Sequence, residues 1–199
     1  MAKLLPYMLI EGFLEPEFNE EILNYIIENE KEFSYSKTSN RVYHETDAPQ
    51  IKSMTLFDIG PLKKRVEEKI AELFPTMISQ LQISPFKPYK IETEFGAYGD
   101  GAFFGNHVDT VTYEKATSYR IISAIYYLHS LPKKFSGGAL RLHPLPFGAD
   151  MDEPREIIPE NNLLVVFPSF APHEVLPVVA PGLDFKDWRF AINCMIHKE

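Results

Sequence analysis

The side chains with the strongest claim to chemistry are His107 and Asp109, separated only by Val108, together with His173 and, sixteen residues further on, Arg189. Residues two apart on an extended segment project to the same side, so His107 and Asp109 form a compact chelating pair while Val108 faces away. A second imidazole from His173 completes a donor set of two histidines and one carboxylate. Such a set grips one face of an octahedral cation and leaves the opposite face open, which suits a non-haem Fe(II) centre that activates dioxygen. Ligand type alone would also accept Mn, Co or Ni, so iron follows from the constellation as a whole. A His-x-Asp triplet is weakly specific on its own. Taken singly, His173 reads equally as a loop histidine after Pro172, and Arg189 as a surface salt bridge to Asp187 or Glu174. The four together, placed after strands of the right kind, make the metal reading the stronger.

From Tyr89 onward the chain consists of short β-type runs punctuated by Gly, Pro and Asp, over 89–98, 119–128, 138–143, 163–167, 174–179 and 187–197. Ahead of them, the apolar start reads as a first strand rather than a signal peptide, since Pro6 and Glu11 interrupt it and no small-residue cleavage site follows. Phe18, Ile22, Ile26 and Ile27 then recur at helical spacing and predict an amphipathic helix from about Glu17 to Glu32. A second helix is expected from about Pro61 through Val66, Ile70, Leu73 and Phe74, with Pro75 breaking or restarting it. Helices first and strands afterwards disfavour a βαβ parallel sheet. They favour a mainly β fold, a double-stranded β-helix (jelly roll) with the N-terminal helices packed on one outer face. The expected organisation is one domain over 1–199, with helical support about 17–82 and a jelly-roll core about 89–197. The polar segment Ser34 to Ser53, with Arg41, Tyr43, His44 and Asp47, lacks a clear period and is either a lid or an ordinary surface excursion.

Alternation sharpens the expectation for the last strand. Trp188, Phe190, Ile192, Cys194 and Ile196 make one apolar face fit to lie under the helices, and Arg189, Ala191, Asn193, Met195 and His197 make the other. Arg189 then points into the barrel mouth, where a buried guanidinium is tolerable only with an anion to meet, such as a ligand carboxylate. Arg141, between Leu140 and Leu142, faces either the barrel opening or the surface. Gly137-Gly138 permits close backbone approach beside the barrel or forms a plain turn. His44, His129, His143 and His197 lack ligand-like sequence neighbours and read as surface or strand-end residues.

Bulk properties set limits on partners. A chain of 199 residues with 45% hydrophobic content is large enough for a substantial core. A net charge of -8 argues against nucleic acid, whose phosphates need a basic groove. Cys194 is the single cysteine, so no intrachain disulfide is possible and a cytoplasmic location is the default. No apolar run approaches the roughly 20 residues a membrane helix needs, so no membrane partner is expected. Oligomeric state stays open.

The segments Arg120-Ile121-Ile122-Ser123-Ala124-Ile125-Tyr126-Tyr127-Leu128 and Ser136-Gly137-Gly138-Ala139-Leu140-Arg141-Leu142, then Phe167-Pro168-Ser169 leading to His173, resemble a known family. It is the prolyl-4-hydroxylase-like branch of the Fe(II)/2-oxoglutarate dioxygenases, including the hypoxia-type prolyl hydroxylases, and the similarity runs from about Tyr89 to His197. The resemblance implies that His107, Asp109 and His173 bind Fe(II) and that Arg189 holds the distal carboxylate of the cosubstrate 2-oxoglutarate. It implies further that Tyr127 donates to that same carboxylate, and strand alternation places Ser123 on the Tyr127 face as a further residue expected to bind the cosubstrate. Tyr98 falls near a family tyrosine of the cosubstrate pocket, and Asn193 at a position where a small polar residue faces the cosubstrate. For Tyr98 and Asn193, core packing with a satisfied polar tip is an equal alternative. The implied reaction consumes O2 and 2-oxoglutarate, gives succinate and CO2, hydroxylates an unactivated carbon, and admits ascorbate as a reductant. Asp109 disfavours the halogenating relatives, which carry a small residue there. These motifs are specific for the superfamily and weak for substrate. A prolyl or other amino-acid substrate, peptidyl, free or carrier-bound, is the leading expectation. A small non-amino-acid metabolite and a non-catalytic jelly-roll binding or sensing module are the alternatives.

Overall fold

The computed structural model describes residues 4–36, 51–110, 119–145 and 153–199. Its first half contains β1 (Met8–Glu11), α1 (Pro16–Glu28), β2 (Ser34–Tyr35), β3 (Ile51–Lys52), β4 (Met54–Leu56), α2 (Leu62–Glu72) and α3 (Phe74–Gln80). Strands follow almost without interruption: β5 (Pro88–Tyr98), β6 (Phe103–His107), β7 (Arg120–Leu128), β8 (Ser136–Gly137), β9 (Leu140–Leu142) and β10 (Arg155–Ile157). The chain closes with β11 (Leu163–Pro168), β12 (His173–Val175), β13 (Val178–Val179) and β14 (Arg189–Lys198). Of the polar 34–53 segment, residues 37–50, including His44, lie outside the described residues, so the lid reading does too.

The strands assemble into a seven-stranded sheet ordered β1-β11-β7-β14-β5-β4-β2, a five-stranded sheet ordered β10-β9-β12-β6-β3, and a small β13-β8 pair. Every pairing is antiparallel. The central strands β7, β11 and β14 carry β-branched and aromatic residues on both faces because both faces are covered. Ile122, Ala124 and Tyr126 of β7, Leu164 and Val166 of β11, and Phe190, Ile192, Cys194 and Ile196 of β14 pack in one cluster with Phe18, Ile22 and Ile26 of α1 and Val66 and Ile70 of α2. Each fully buried aliphatic side chain there contributes about 1.5–3 kcal/mol. Pro16 sits in the first turn of α1, where a missing N–H costs nothing. The hydroxyl of Tyr126 donates to Asn19 of α1 (2.6 Å) and lies 3.0 Å from Asn162, pinning helix to sheet.

The opposite face of the same strands contributes Ile125, Tyr127, Leu163, Val165, Phe167 and Ala191 to a second cluster. There they meet Leu140, Leu142 and Ile157 of the smaller sheet. The fold is therefore the expected jelly roll, two antiparallel sheets enclosing an interior, with helices on one outer side. The helix expected over 17–32 ends as α1 at Glu28 and continues as a 3-10 turn over Glu30–Glu32. Pro75 restarts the second helix as α3.

Candidate metal centre

His107 ends β6, His173 begins β12, and the two are direct register partners across that strand pair. Antiparallel pairing thus brings together two histidines that the sequence holds far apart. Asp109 lies two residues past His107, where its backbone N–H donates to the Ser169 carbonyl at 2.8 Å, tying the turn after β6 to the end of β11. His107 Nδ1 lies 2.8 Å from the Gly105 carbonyl and His173 Nδ1 2.9 Å from the Ala171 carbonyl. A carbonyl only accepts, so each Nδ1 carries the proton and each Nε2 keeps its lone pair for a metal. Both Nε2 atoms face Asp109, His107 at 3.6 Å from Oδ1 and His173 at 3.7 Å from Oδ2. The three donors lie within 4.8 Å of one another.

The rings are fixed by packing as well. His107 stacks on Phe104 at 3.6 Å between centroids, and Phe167 meets His173 edge-on at 4.7 Å. Burial, with His107 close by, lowers the His173 pKa to about 4, so the ring is neutral near pH 7. Burial alone would raise the Asp109 carboxyl, but the His173 and His107 rings and the Ser123 hydroxyl outweigh it and hold it well below the usual carboxylate range. Ser123 on β7 donates to Asp109 Oδ2 at 2.6 Å and sits 2.9 Å from the Ser169 hydroxyl. With Oδ2 so engaged, Oδ1 is the oxygen without a hydroxyl donor among the described residues.

Arg189 opens β14 on the inner face and is 1% exposed. Its Nε donates to the Gly138 carbonyl at 3.0 Å. The guanidinium carbon lies 4.3 Å from the Tyr98 ring centroid and 4.9 Å from that of Tyr127. Arg189 Nη1 and the Tyr127 hydroxyl are both buried without a hydrogen-bond partner among the described residues. The salt bridges weighed for Arg189 do not form, because Asp187 pairs with Lys134, and Glu174 with Arg141 and His143. Gly138 has φ +66°, and a Cβ there would meet Arg189 Cδ at 2.8 Å, so the Gly137-Gly138 pair allows close backbone approach. Burial pushes the Tyr127 hydroxyl up to about 12, keeping it a donor at neutral pH. Burial raises Tyr98 in the same direction.

Asn193 lies on the same inner face and donates Nδ2–H to Glu94 Oε1 at 3.3 Å. Arg141 lies on the surface side of β9, bridging Glu156 and Glu174. Of the histidines read as surface or strand-end residues, His129 and His197 are the buried strand-end kind, at 3% and 2% exposure. His143 and His197 each have a carboxylate at 3.0 Å, Glu174 and Glu92 respectively. Sequence reasoning missed Ser169 and Glu94. Glu94 shares the parity of Tyr98 on β5, which was a usable signal; nothing in the sequence points to the Ser169 carbonyl.

Residues 93–197 match the sequence profile of the 2OG-Fe(II) oxygenase superfamily. A PKHD-type hydroxylase of Synechocystis sp., itself described as uncharacterized, is 34% identical over 200 residues, covering 97% of this chain. The chain spans 63% of the length of that relative. Among solved structures, a Pseudomonas putida prolyl-4-hydroxylase aligns at TM-score 0.70 and 18% identity, over 98% of this chain and 94% of its own. A Trichoplax adhaerens prolyl hydroxylase in complex with a hypoxia inducible factor oxygen degradation domain peptide fragment aligns at TM-score 0.73 and 19% identity. It covers 97% of this chain and 84% of its own. At such identities the likeness concerns the fold.

Proposed function

This chain belongs to the 2OG-Fe(II) oxygenase superfamily, and on that premise we propose that it is a 2-oxoglutarate-dependent dioxygenase that hydroxylates an unactivated carbon of a prolyl or other amino-acid substrate, free or peptidyl. The observation that carries the reading is the inner-face pair of Arg189 Nη1 and the Tyr127 hydroxyl, two buried donors without a partner. An unmatched buried donor costs free energy, and a carboxylate placed between the two would satisfy both. The imidazole nitrogens of His107 and His173 and the Asp109 carboxylate, within 4.8 Å of one another, are a donor set that would hold Fe(II).

In this reading Arg189 binds the distal carboxylate of 2-oxoglutarate through its planar fork, which stays protonated at any working pH, and Tyr127 adds a neutral donor. Tyr98 lies against the guanidinium and limits where it can swing. Ser123 orients Asp109, and the Nδ1 carbonyl bonds orient both imidazoles. Fe(II) with 2-oxoglutarate and O2 supplies the oxidative chemistry, decarboxylation to succinate and CO2 coupled to hydroxylation. The apolar walls from Ile125, Phe167 and Ala191 keep water from that chemistry. Asn193, further along β14, borders the cosubstrate space. An amino-acid or peptide substrate is supported by the prolyl hydroxylases of like fold, one in complex with a peptide fragment. A single buried cysteine suits a reducing compartment, and the cytoplasm is the proposed location. No helix among the described residues is long and apolar enough to cross a membrane.

The test is an anaerobic titration with Fe(II) and 2-oxoglutarate, followed by aerobic succinate release across free amino acids and proline-containing peptides. A weak visible charge-transfer band and stimulation of succinate release by at least one amino-acid compound are expected. No band would overturn the metal and cosubstrate assignment, and a band without stimulation would overturn the substrate class. Ascorbate is expected to prolong turnover as a reductant, read as the succinate yield with and without it.

A further inference from the structure

Glu94 is a half-buried acidic side chain on the inner face of the large sheet that, among the described residues, forms no ion pair and is not one of the metal triad. Strand alternation on β5 sends Phe95 and Ala97 under the helices and turns Glu94 to the side of Tyr98. In register it stands opposite Asn193, which is paired in turn with Ile125 of β7. The next inward-facing residue of β14, Met195, pairs with Ser123, whose hydroxyl holds Asp109. Arg189 pairs with Tyr98, four residues further along β5, or roughly 13 Å along the strand. Glu94 therefore lies on the metal-ligand side of the interior, away from the guanidinium assigned to the cosubstrate.

Its neighbour in parity, Glu92, is countered by Arg120 at 2.7 Å and His197 at 3.0 Å. Among the described residues Glu94 has only the Asn193 amide, at a long 3.3 Å through Oε1. Burial raises its carboxyl above the ordinary value, with the Asn193 amide and the Arg120 charge opposing and Glu92 and Asp109 reinforcing. A half-buried carboxylate without a cation is costly unless a ligand completes it.

We propose that Glu94, steadied by Asn193, recognises a protonated amine of the substrate, so that the substrate class is an ammonium-bearing amino compound. This rests on the dioxygenase reading above and narrows it. An ammonium brings three N–H donors, of which Glu94 Oε2 takes one in a charge-assisted hydrogen bond and the Asn193 side-chain oxygen accepts another. An anionic group at the same place would be repelled by Glu94. The α-amine of a free amino acid and the basic side chain of a peptide offer the same chemistry.

The experiment adds four probes to the anaerobic Fe(II) and 2-oxoglutarate complex of the full chain: L-lysine, Nα-acetyl-L-lysine, Nε-acetyl-L-lysine and the diacetylated compound. Perturbation of the charge-transfer band and aerobic succinate release are both read. Probes retaining an amine are expected to act at concentrations at least tenfold lower than the diacetylated one, and the two monoacetylated probes tell an α-amine site from a side-chain site. Glu94→Gln, which keeps the shape, is expected to form the band and to erase the tenfold preference. The wild-type preference stands as a test by itself should that variant fail to fold. Equal action of the diacetylated probe, no response to any amine, or a preference surviving in Glu94→Gln overturns the inference alone. Absence of the band in the wild-type protein overturns the dioxygenase reading, and this inference with it.

Discussion

Tyr126 and Tyr127 are adjacent in the chain and equally hidden from solvent, at 1% and 0% exposure, yet they live in opposite chemistry. Tyr126 points toward the helices and finds two side-chain oxygens, Asn19 and Asn162, for its hydroxyl. Tyr127 points between the sheets and finds none, beside an Arg189 that also carries an unmatched nitrogen. The same division runs along β14, whose outward residues form a fully apolar face while its inward residues include Arg189, Asn193 and His197. The outer face is built to be complete within the protein. The inner face is left polar and incomplete, and the incompleteness is what a ligand would fill, at the expense of stability.

Variants at the metal triad should break the inner face most severely. His173→Ala is expected to weaken Fe(II) binding by more than about 100-fold, beyond what loss of an orienting partner costs, measured by anaerobic calorimetry. Binding within tenfold of wild type would dissolve the distinction between the faces. Next in size, Arg189→Leu should cost about 2–5 kcal/mol in 2-oxoglutarate affinity while leaving the melting temperature unchanged or higher, because a buried charge without a partner is exchanged for an apolar group. A clear fall in melting temperature would mean that Arg189 serves the fold. The reciprocal change, Ile192→Ala on the outer face, should lower unfolding free energy by about 2–5 kcal/mol and leave 2-oxoglutarate affinity of the folded protein in place.

Smaller effects refine the picture. Ser123→Ala removes the bond that engages Asp109 Oδ2 and should weaken Fe(II) binding by roughly tenfold, with Ser123→Thr recovering most of it. The least effect is a pH dependence of the metal-free protein. His173 takes up a proton near pH 4 when folded and near 6.5 when unfolded, so between these values the unfolded chain holds more protons and stability rises with pH. Thermal melts without metal should show a midpoint on the order of 5 °C lower at pH 5 than at pH 7. In His173→Ala that difference should shrink.

The helices, the strand runs and the two faces of β14 were legible because hydrophobic periodicity reports which way a side chain points. The triad was legible from His107 and Asp109 two apart and from His173 and Arg189 after strands of suitable character. Glu94 followed the same alternation and could have been read from it. For His197 and His129 the sequence left surface and strand-end placements open, because burial at a strand end depends on what the neighbouring strands lay over it. The Ser169 carbonyl, the Gly138 carbonyl under Arg189, and the Glu92–Arg120–His197 network left no mark in local sequence.

Residue types and their spacing by themselves determined that this chain has a jelly-roll interior, an apolar helix-backed face and a His-x-Asp chelating pair, since these depend on periods of two and 3.6 residues. Only the tertiary structure decided that His173 stands in register with His107, that Ser123 takes one Asp109 oxygen, and that Glu94 stands opposite Asn193 while Arg189 stands opposite Tyr98. Those facts are set by strand pairing between segments remote in sequence, where a shift of one residue would turn every side chain to the other face.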